Sequence, residues 1–177
     1  MAKFIMVGEN IHCIAPKIRD AMDKRDEGPI LERAEKQLKA GATYLDFNIG
    51  PKRKGSQGLM AWGIQLLQSH FDNVPIALDT ADIDEINSGI KVYNRTKGKP
   101  IVNSADAGDR INYLDVAADN EAIVFALCSK EGVPADNAER EQYLQEMLEI
   151  WLTKGQDPSD IWFDPLFIVI KGMQDKQ

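Results

Sequence analysis

Residues 76–90, IALDTADIDEINSGI, hold a complete structural unit in fifteen positions. Ile76, Ala77 and Leu78 form an apolar run of strand length that ends on Asp79. Asp82 stands just ahead of Ile83, Ile86 and Ile90, whose three- and four-residue spacing predicts one face of a helix with Asp82 as its N-cap. Asp82 is the better cap, which frees Asp79 for another task.

The same unit recurs outward in both directions. Residues 4–8, 44–48, 101–103, 122–128 and 161–164 are further short apolar runs, and of the six runs five end in, or are followed at once by, Glu, Asp or Asn. Helical patterns separate them. Gly28-Pro29 is read as opening one, with Ile30, Ala34 and Leu38 on one face and Gly41 as its stop. Ser56 is read as the cap of the next, carrying Met60, Ile64 and Leu67. Ile83, Ile86, Ile90 and Tyr93 mark a third, and Ile111, Leu114 and Ala118 a short fourth. Tyr143, Met147, Ile150 and Trp151 give the clearest stripe of all.

Nearly continuous apolar strands alternating with helices predict an α/β fold whose parallel sheet is buried on both faces. No GxGxxG or GxxxxGK[ST] follows any strand, which removes the strongest signals for a nucleotide-binding open sheet. Polar residues recurring at strand C-termini favour a TIM-like (β/α)8 barrel, whose active site is built from those ends. About six βα units are visible, while a whole barrel takes about 250 residues. The expectation is one barrel domain over residues 1–177, incomplete at the C-terminus after the sixth strand, with residues 167–173 starting further structure. Open sheet edges invite pairing, so a homo-oligomer is expected.

Composition narrows the partners. A net charge of −7 and a pI near 4.9 leave no footprint for a nucleic-acid backbone. Lys52-Arg53-Lys54 reads as a solvated loop rather than a phosphate site. Cys13 and Cys128 lie far apart with no CxxC pattern, which suits a reducing compartment, and the cytoplasm is the expectation. The apolar run before Glu9 is too short for a signal peptide, and no stretch approaches the roughly 18 apolar residues of a membrane helix.

The chemistry is carried by an acceptor set at the strand ends: Glu9, Asp46, Asn48, Asp79, Asn103 and Asp164. A carboxylate accepts two parallel N–H bonds and suits the edge of an amino-pyrimidinone; an amide both donates and accepts and reads a neighbouring carbonyl or ring nitrogen. Together they fit a neutral planar heterocycle. Each also has a plainer role, as a helix cap or an Asx turn. Asp164 precedes Pro165, which holds it extended and is expected to aim its carboxylate away from capping. His12, beside Cys13, reads as half of a metal pair, as an acid/base or, more simply, as a hydrogen-bonding side chain, and His70 reads as a charge partner for a helix C-terminus. Cys128 and the tryptophans read as packing groups. Asp46, Asp79 and Asp164 have carboxylates suited to Mg2+, yet no spacing requires a metal and none is assigned. No Ser/His/Asp or Cys/His set is present, so no catalytic side chain is assigned.

Five of these segments occur in order: Gly8-Glu9-Asn10-Ile11-His12, Leu45-Asp46-Phe47-Asn48-Ile49-Gly50-Pro51, Leu78-Asp79-Thr80, Val102-Asn103-Ser104 and Phe163-Asp164-Pro165. In this the chain resembles the methyltetrahydrofolate:corrinoid protein methyltransferases, pterin-binding barrels related to the folate domain of cobalamin-dependent methionine synthase and to dihydropteroate synthase. The resemblance implies a pterin-binding site in which Asp79, Asn103 and Asp164 make the main ring contacts, with Glu9, Asp46, Asn48 and His12 lining the same floor. It implies transfer of the N5 methyl group between 5-methyltetrahydrofolate and the cobalt of a cobalamin-like corrinoid on a partner protein or domain. The family commonly has Asn where His12 stands, and its seventh strand, which carries an Asn near N5, lies beyond this sequence. A dihydropteroate synthase-like enzyme and a non-catalytic pterin-binding module are the alternatives; the first fits less well because its Thr-Pro-Asp-Ser loop is replaced by Glu9–His12 residues.

Overall fold

The computed structural model describes residues 4–166, which divide between Ile101 and Val102 into two compact units. Residues 167–173, where further structure was expected, lie outside the described residues.

In the first unit the order is β1 (Val7–His12), α1 (Pro16–Lys24), α2 (Glu27–Lys39), β2 (Tyr44–Asn48), α3 (Leu59–His70), β3 (Ile76–Asp79) and α4 (Ile83–Val92), closed by a 3-10 turn at Arg95–Lys97. β2 lies between β1 and β3 and is parallel to both. Leu45 pairs with Ile76 and Phe47 with Leu78, and all four are buried. Two helical glycines let the helices settle on this face. A Cβ on Gly63 of α3 would overlap the Phe47 ring, and one on Gly89 of α4 would lie 2.5 Å from Met60 Cγ and 2.6 Å from Leu78 Cδ2.

The helix ends are held by carboxylates. Asp82 accepts from the Asp84 N–H to cap α4, as the sequence predicts, and Asp26, which the sequence reading does not name, accepts from the Gly28 N–H to cap α2. α3 has no side-chain cap from its own N-cap residue, Gly58. Glu85 of α4 supplies it instead: its two oxygens accept from the Gly58 and Met60 N–H groups at 2.7 and 2.9 Å. Tyr93, just after α4, accepts from the Ile76 N–H at 2.8 Å, and burial pushes its hydroxyl up to about 12.

The second unit holds β4 (Ile101–Asp106) from its second residue on, α5 (Tyr113–Asp119), β5 (Ile123–Leu127), α6 (Asn137–Thr153), a 3-10 turn at Pro158–Asp160 and β6 (Ile161–Asp164). β5 lies between β4 and β6 and is parallel to β6. α6 buries Tyr143, Met147 and Trp151 of the stripe read from the sequence, leaves Ile150 half-buried, and buries Arg140 as well. Trp151 is wholly enclosed and donates its indole N–H to the Asp157 carbonyl at 2.8 Å. Cys128 is buried beside the end of β6, where burial, reinforced by the Asp164 carboxylate, raises its thiol.

Several boundaries differ from the sequence reading. β1 does not stop at Gly8 but runs to His12, and Phe4, Ile5 and Met6, read as its start, are exposed. β4 runs three residues beyond Asn103. α1 was not read at all; its apolar content is thin, yet Pro16 at its first turn and Ile18, Ala21 and Met22 on its buried face were the available signal. Ser56 does not cap α3; its hydroxyl bonds with the Arg53 backbone ahead of the helix. Pro29 is the third residue of α2, not the first.

Two outcomes follow from this packing. Gly63→Ala gains about 1 kcal/mol of helix propensity but forces Phe47 aside at about 1–3 kcal/mol, so denaturant unfolding is expected to show net destabilisation; a stabilised variant would contradict the contact. A raised thiol pKa means less thiolate at every pH below it. Native protein treated with a thiol reagent at neutral pH should therefore modify half-buried Cys13 first and Cys128 more slowly by about tenfold or more, with equal rates counting against the packing described.

Candidate functional site

In parallel pairing, residues opposite one another present their side chains to the same face, and faces alternate along each strand. Leu45, Phe47, Ile76 and Leu78 take the helix side of β2 and β3. Asp46 with Ala77, and Asn48 with Asp79, therefore take the other side. On β1, Gly8 pairs with Leu45 and Ile11 with Phe47, again on the helix side, so His12 opposite Asn48 turns away from the helices. His12, Asn48 and Asp79 thus form one row across the ends of three strands, with Asp46 one layer below.

Keeping that row in register needs an irregularity in β1. Between Gly8 and Ile11 the chain holds two residues, Glu9 and Asn10, where β2 has the single Asp46. The spare backbone N–H of Asn10 donates to Gln37 Oε1 of α2 at 2.7 Å. Gly8 makes room for that side chain, because a Cβ there would lie 2.7 Å from Gln37 Oε1. Without the bulge, His12 would point to the helix side.

Within the row the polar groups are tied down. The Asn48 side-chain amide donates to Asp79 Oδ2, and its Oδ1 accepts from the Gly50 N–H at 2.9 Å. Gly50 has φ 72, the left-handed region that a side chain disfavours, and a Cβ there would lie 2.5 Å from Cys13 Sγ. Thr80 donates its hydroxyl to the Gly50 carbonyl at 2.6 Å and accepts from the Asp82 N–H at 3.1 Å. Thr80 therefore joins the loop after β2 to the one after β3. Asp46 is buried, Asp79 half-buried and Glu9 exposed in the bulge. His12 Nδ1 is buried with no hydrogen-bond partner.

The basic run is held by its surroundings. Arg53 donates to the Ile49 carbonyl at 2.5 Å and pairs with Asp23 at 2.8 Å, while Lys52 pairs with Asp84 at 3.1 Å. His70 ends α3 with Nδ1 2.9 Å from the Leu66 carbonyl and 3.1 Å from the Ser69 hydroxyl.

In the second unit the expected residues are less closely grouped, since Asn103 stands on β4 and Asp164 on β6 with β5 between them. Asn103 is half-buried in mid-strand, and the peptide bond from it to Ser104 is cis. Asp164 is exposed, and its Oδ1 accepts from the Leu166 N–H at 2.8 Å. That Asx turn corrects the expectation that Pro165 frees the carboxylate from backbone duty: Pro165 keeps Asp164 extended, but the turn it begins brings the Leu166 N–H back within reach. Asp106 is the residue the sequence reading missed. Its Oδ1 accepts from the Gly108 and Arg110 N–H groups, each at 2.9 Å, and its Oδ2 from Arg110 Nε at 2.8 Å. An Asp two residues before a Gly was the available turn signal. Among the described residues no group of three His, Cys, Asp or Glu side chains is arranged to hold a metal ion, and no helix is long and apolar enough to cross a membrane.

The family model for pterin binding enzymes matches residues 16–177, a span that begins after Glu9 and His12. A methylcorrinoid:tetrahydrofolate methyltransferase of Eubacterium limosum is 25% identical over 171 residues, 94% of this chain and 62% of that protein. The crystal structure of 7,8-dihydropteroate synthase from Vibrio fischeri ES114 superposes with a TM-score of 0.69 at 17% identity, covering 97% of this chain and 64% of that one. Yersinia pestis DHPS, solved with a pterine-sulfa conjugate, gives 0.65 at 16% identity, covering 92% and 60%. The chain thus spans about three fifths of the length of these relatives. The structural likeness shows the fold, and the six strands with their intervening helices are units of the TIM-like (β/α)8 class expected from the sequence. By the match over residues 16–177, the chain belongs to the pterin-binding enzymes.

Proposed function

We propose that residues 1–177 belong to a pterin-binding barrel domain, with the barrel incomplete after the sixth strand, that holds a tetrahydrofolate for transfer of its N5 methyl group to or from the cobalt of a corrinoid protein. The observation that carries the reading is the Asn48–Asp79 pair: an acceptor carboxylate in a row of strand-end polar groups, held by an amide whose oxygen is itself fixed by Gly50. A carboxylate so held is preorganised for the two adjacent N–H groups of an amino-pyrimidinone edge. Asp46 and Glu9 extend the acceptor character of the floor. Similarity to a protein named as a methylcorrinoid:tetrahydrofolate methyltransferase supports methyl transfer over pteroate synthesis.

The corrinoid cobalt, carried on its own protein, supplies the other end of the methyl exchange. This chain's residues bind and orient. The N5 of a methylated tetrahydrofolate is a tertiary amine and a poor leaving group, so it must gain a proton or a hydrogen bond as the methyl departs. Orientation and electrostatics serve that step better than a side-chain nucleophile, and none is arranged in the row. The acidic chain, with two cysteines outside any disulfide, accords with a cytoplasmic enzyme.

Calorimetric titration with 5-methyltetrahydrofolate tests the binding. Saturable binding is expected, weakened about 10- to 100-fold in Asp79→Ala, the loss of a charged hydrogen bond worth about 1.5–3 kcal/mol. Visible spectra of cob(I)alamin mixed with the loaded protein then report methylation of cobalt. Equal affinity in Asp79→Ala, or turnover that requires p-aminobenzoate, would overturn the proposal.

A further inference from the structure

We infer that His12 offers its Nε2–H as a hydrogen-bond donor to the ring of the bound folate, making it a ring-contacting residue; the inference rests on the pterin reading above. Three observations lead to it. The register places His12 opposite Asn48, in the row that ends on Asp79. The bulge at Glu9-Asn10, with Gly8 and Gln37 packed to accommodate it, turns His12 to that face. Its Nδ1 is buried and meets no hydrogen-bond partner, while the residue as a whole is only half-buried.

The orphaned Nδ1 sets the tautomer. A neutral imidazole carries its proton on one nitrogen and a lone pair on the other. A proton on Nδ1 would bury an N–H with nothing to receive it, whereas a lone pair there leaves an unmet acceptor, the smaller penalty. The proton belongs on Nε2, the nitrogen not enclosed with Nδ1. Asn48 uses its oxygen on Gly50 and donates from its nitrogen to Asp79. The row therefore carries an acceptor at Asp79 and a donor at His12. A pterin ring is complementary, since its amino-pyrimidinone presents N–H donors on one edge and a carbonyl oxygen and ring nitrogens as acceptors beside it.

The molecule supplies its own contrast. His70 has Nδ1 2.9 Å from the Leu66 carbonyl, which can only accept, and the Ser69 hydroxyl, 3.1 Å from the same nitrogen, gives its own proton to that carbonyl at 2.8 Å, so the His70 proton belongs on Nδ1. Long-range 15N–1H correlation of histidine-labelled full chain, at a pH where both imidazoles are neutral and with His70→Gln for assignment, is expected to show opposite tautomers. Nδ1–H at His12 overturns the inference without touching the pterin reading.

Addition of tetrahydrofolate is expected to shift the His12 Nε2 resonance. Variants separate the two nitrogens, because a Gln amide reaches the place of Nε2 and an Asn amide that of Nδ1. His12→Gln should bind tetrahydrofolate within about threefold of wild type and His12→Asn about tenfold more weakly, the scale of one hydrogen bond. Asn matching wild type while Gln fails would overturn the inference alone. Absence of binding by a folded wild-type chain would overturn the proposed function and this ligand contact together, and the tautomer would identify that case.

Discussion

The pairing register of β2 with β3 is the constraint on which the candidate site depends. It puts Asn48 opposite Asp79, and because side chains alternate, the same pairing that buries Leu45, Phe47, Ile76 and Leu78 against helices turns Asp46, Asn48 and Asp79 away from them. A slip of one residue would exchange the two sets, burying carboxylates in the core and exposing Phe47. The apolar face thus fixes the polar one. The hydrogen bond from Asn48 to Asp79 fastens the result at the strand ends, where the chain leaves the sheet and is otherwise free to vary.

Around that bond, the loops are organised by groups that do not belong to the row. Thr80 ties the backbone at Gly50 to the start of the α4 turn, and Glu85 of α4 satisfies the first N–H groups of α3. Helix ends carry orphan donors, and a buried carboxylate that accepts two of them contributes where the Gly58 N-cap has no side chain to give. These contacts link β2, β3, α3 and α4 into one support. The basic loop at Lys52-Arg53-Lys54 contributes as well, Arg53 through the Ile49 carbonyl and Asp23.

The alternation of strands and helices was legible because each core face repeats a local pattern: Tyr44–Asn48, Ile76–Asp79 and Ile161–Asp164 are bounded as the sequence predicts, and Asp82 caps where it should. Legibility failed where nonlocal contacts set the outcome. Nothing in Gly8-Glu9-Asn10 announces that a Gln on a helix nearly thirty residues away will accept the Asn10 N–H and let the strand continue to His12. The cap of α3 was misplaced on Ser56 because its true source is Glu85, on a different helix. Asp164 was read as aimed and proves to close a turn, since a carboxylate two residues before a free N–H finds it first. The polar residues of the row stand at strand ends and could be read there; the row that joins them required the register.

The central claim is that Asn48 serves the ligand through Asp79. A double-mutant cycle measured on affinity for 5-methyltetrahydrofolate tests it, with wild type, Asn48→Ala, Asp79→Ala and the pair. The account predicts that removing Asn48 weakens binding when Asp79 is present and adds little once Asp79 is gone, a coupling within the about 0.5–3 kcal/mol found for residues in one network. Strictly additive losses would contradict it and would make Asn48 and Asp79 independent groups rather than one device.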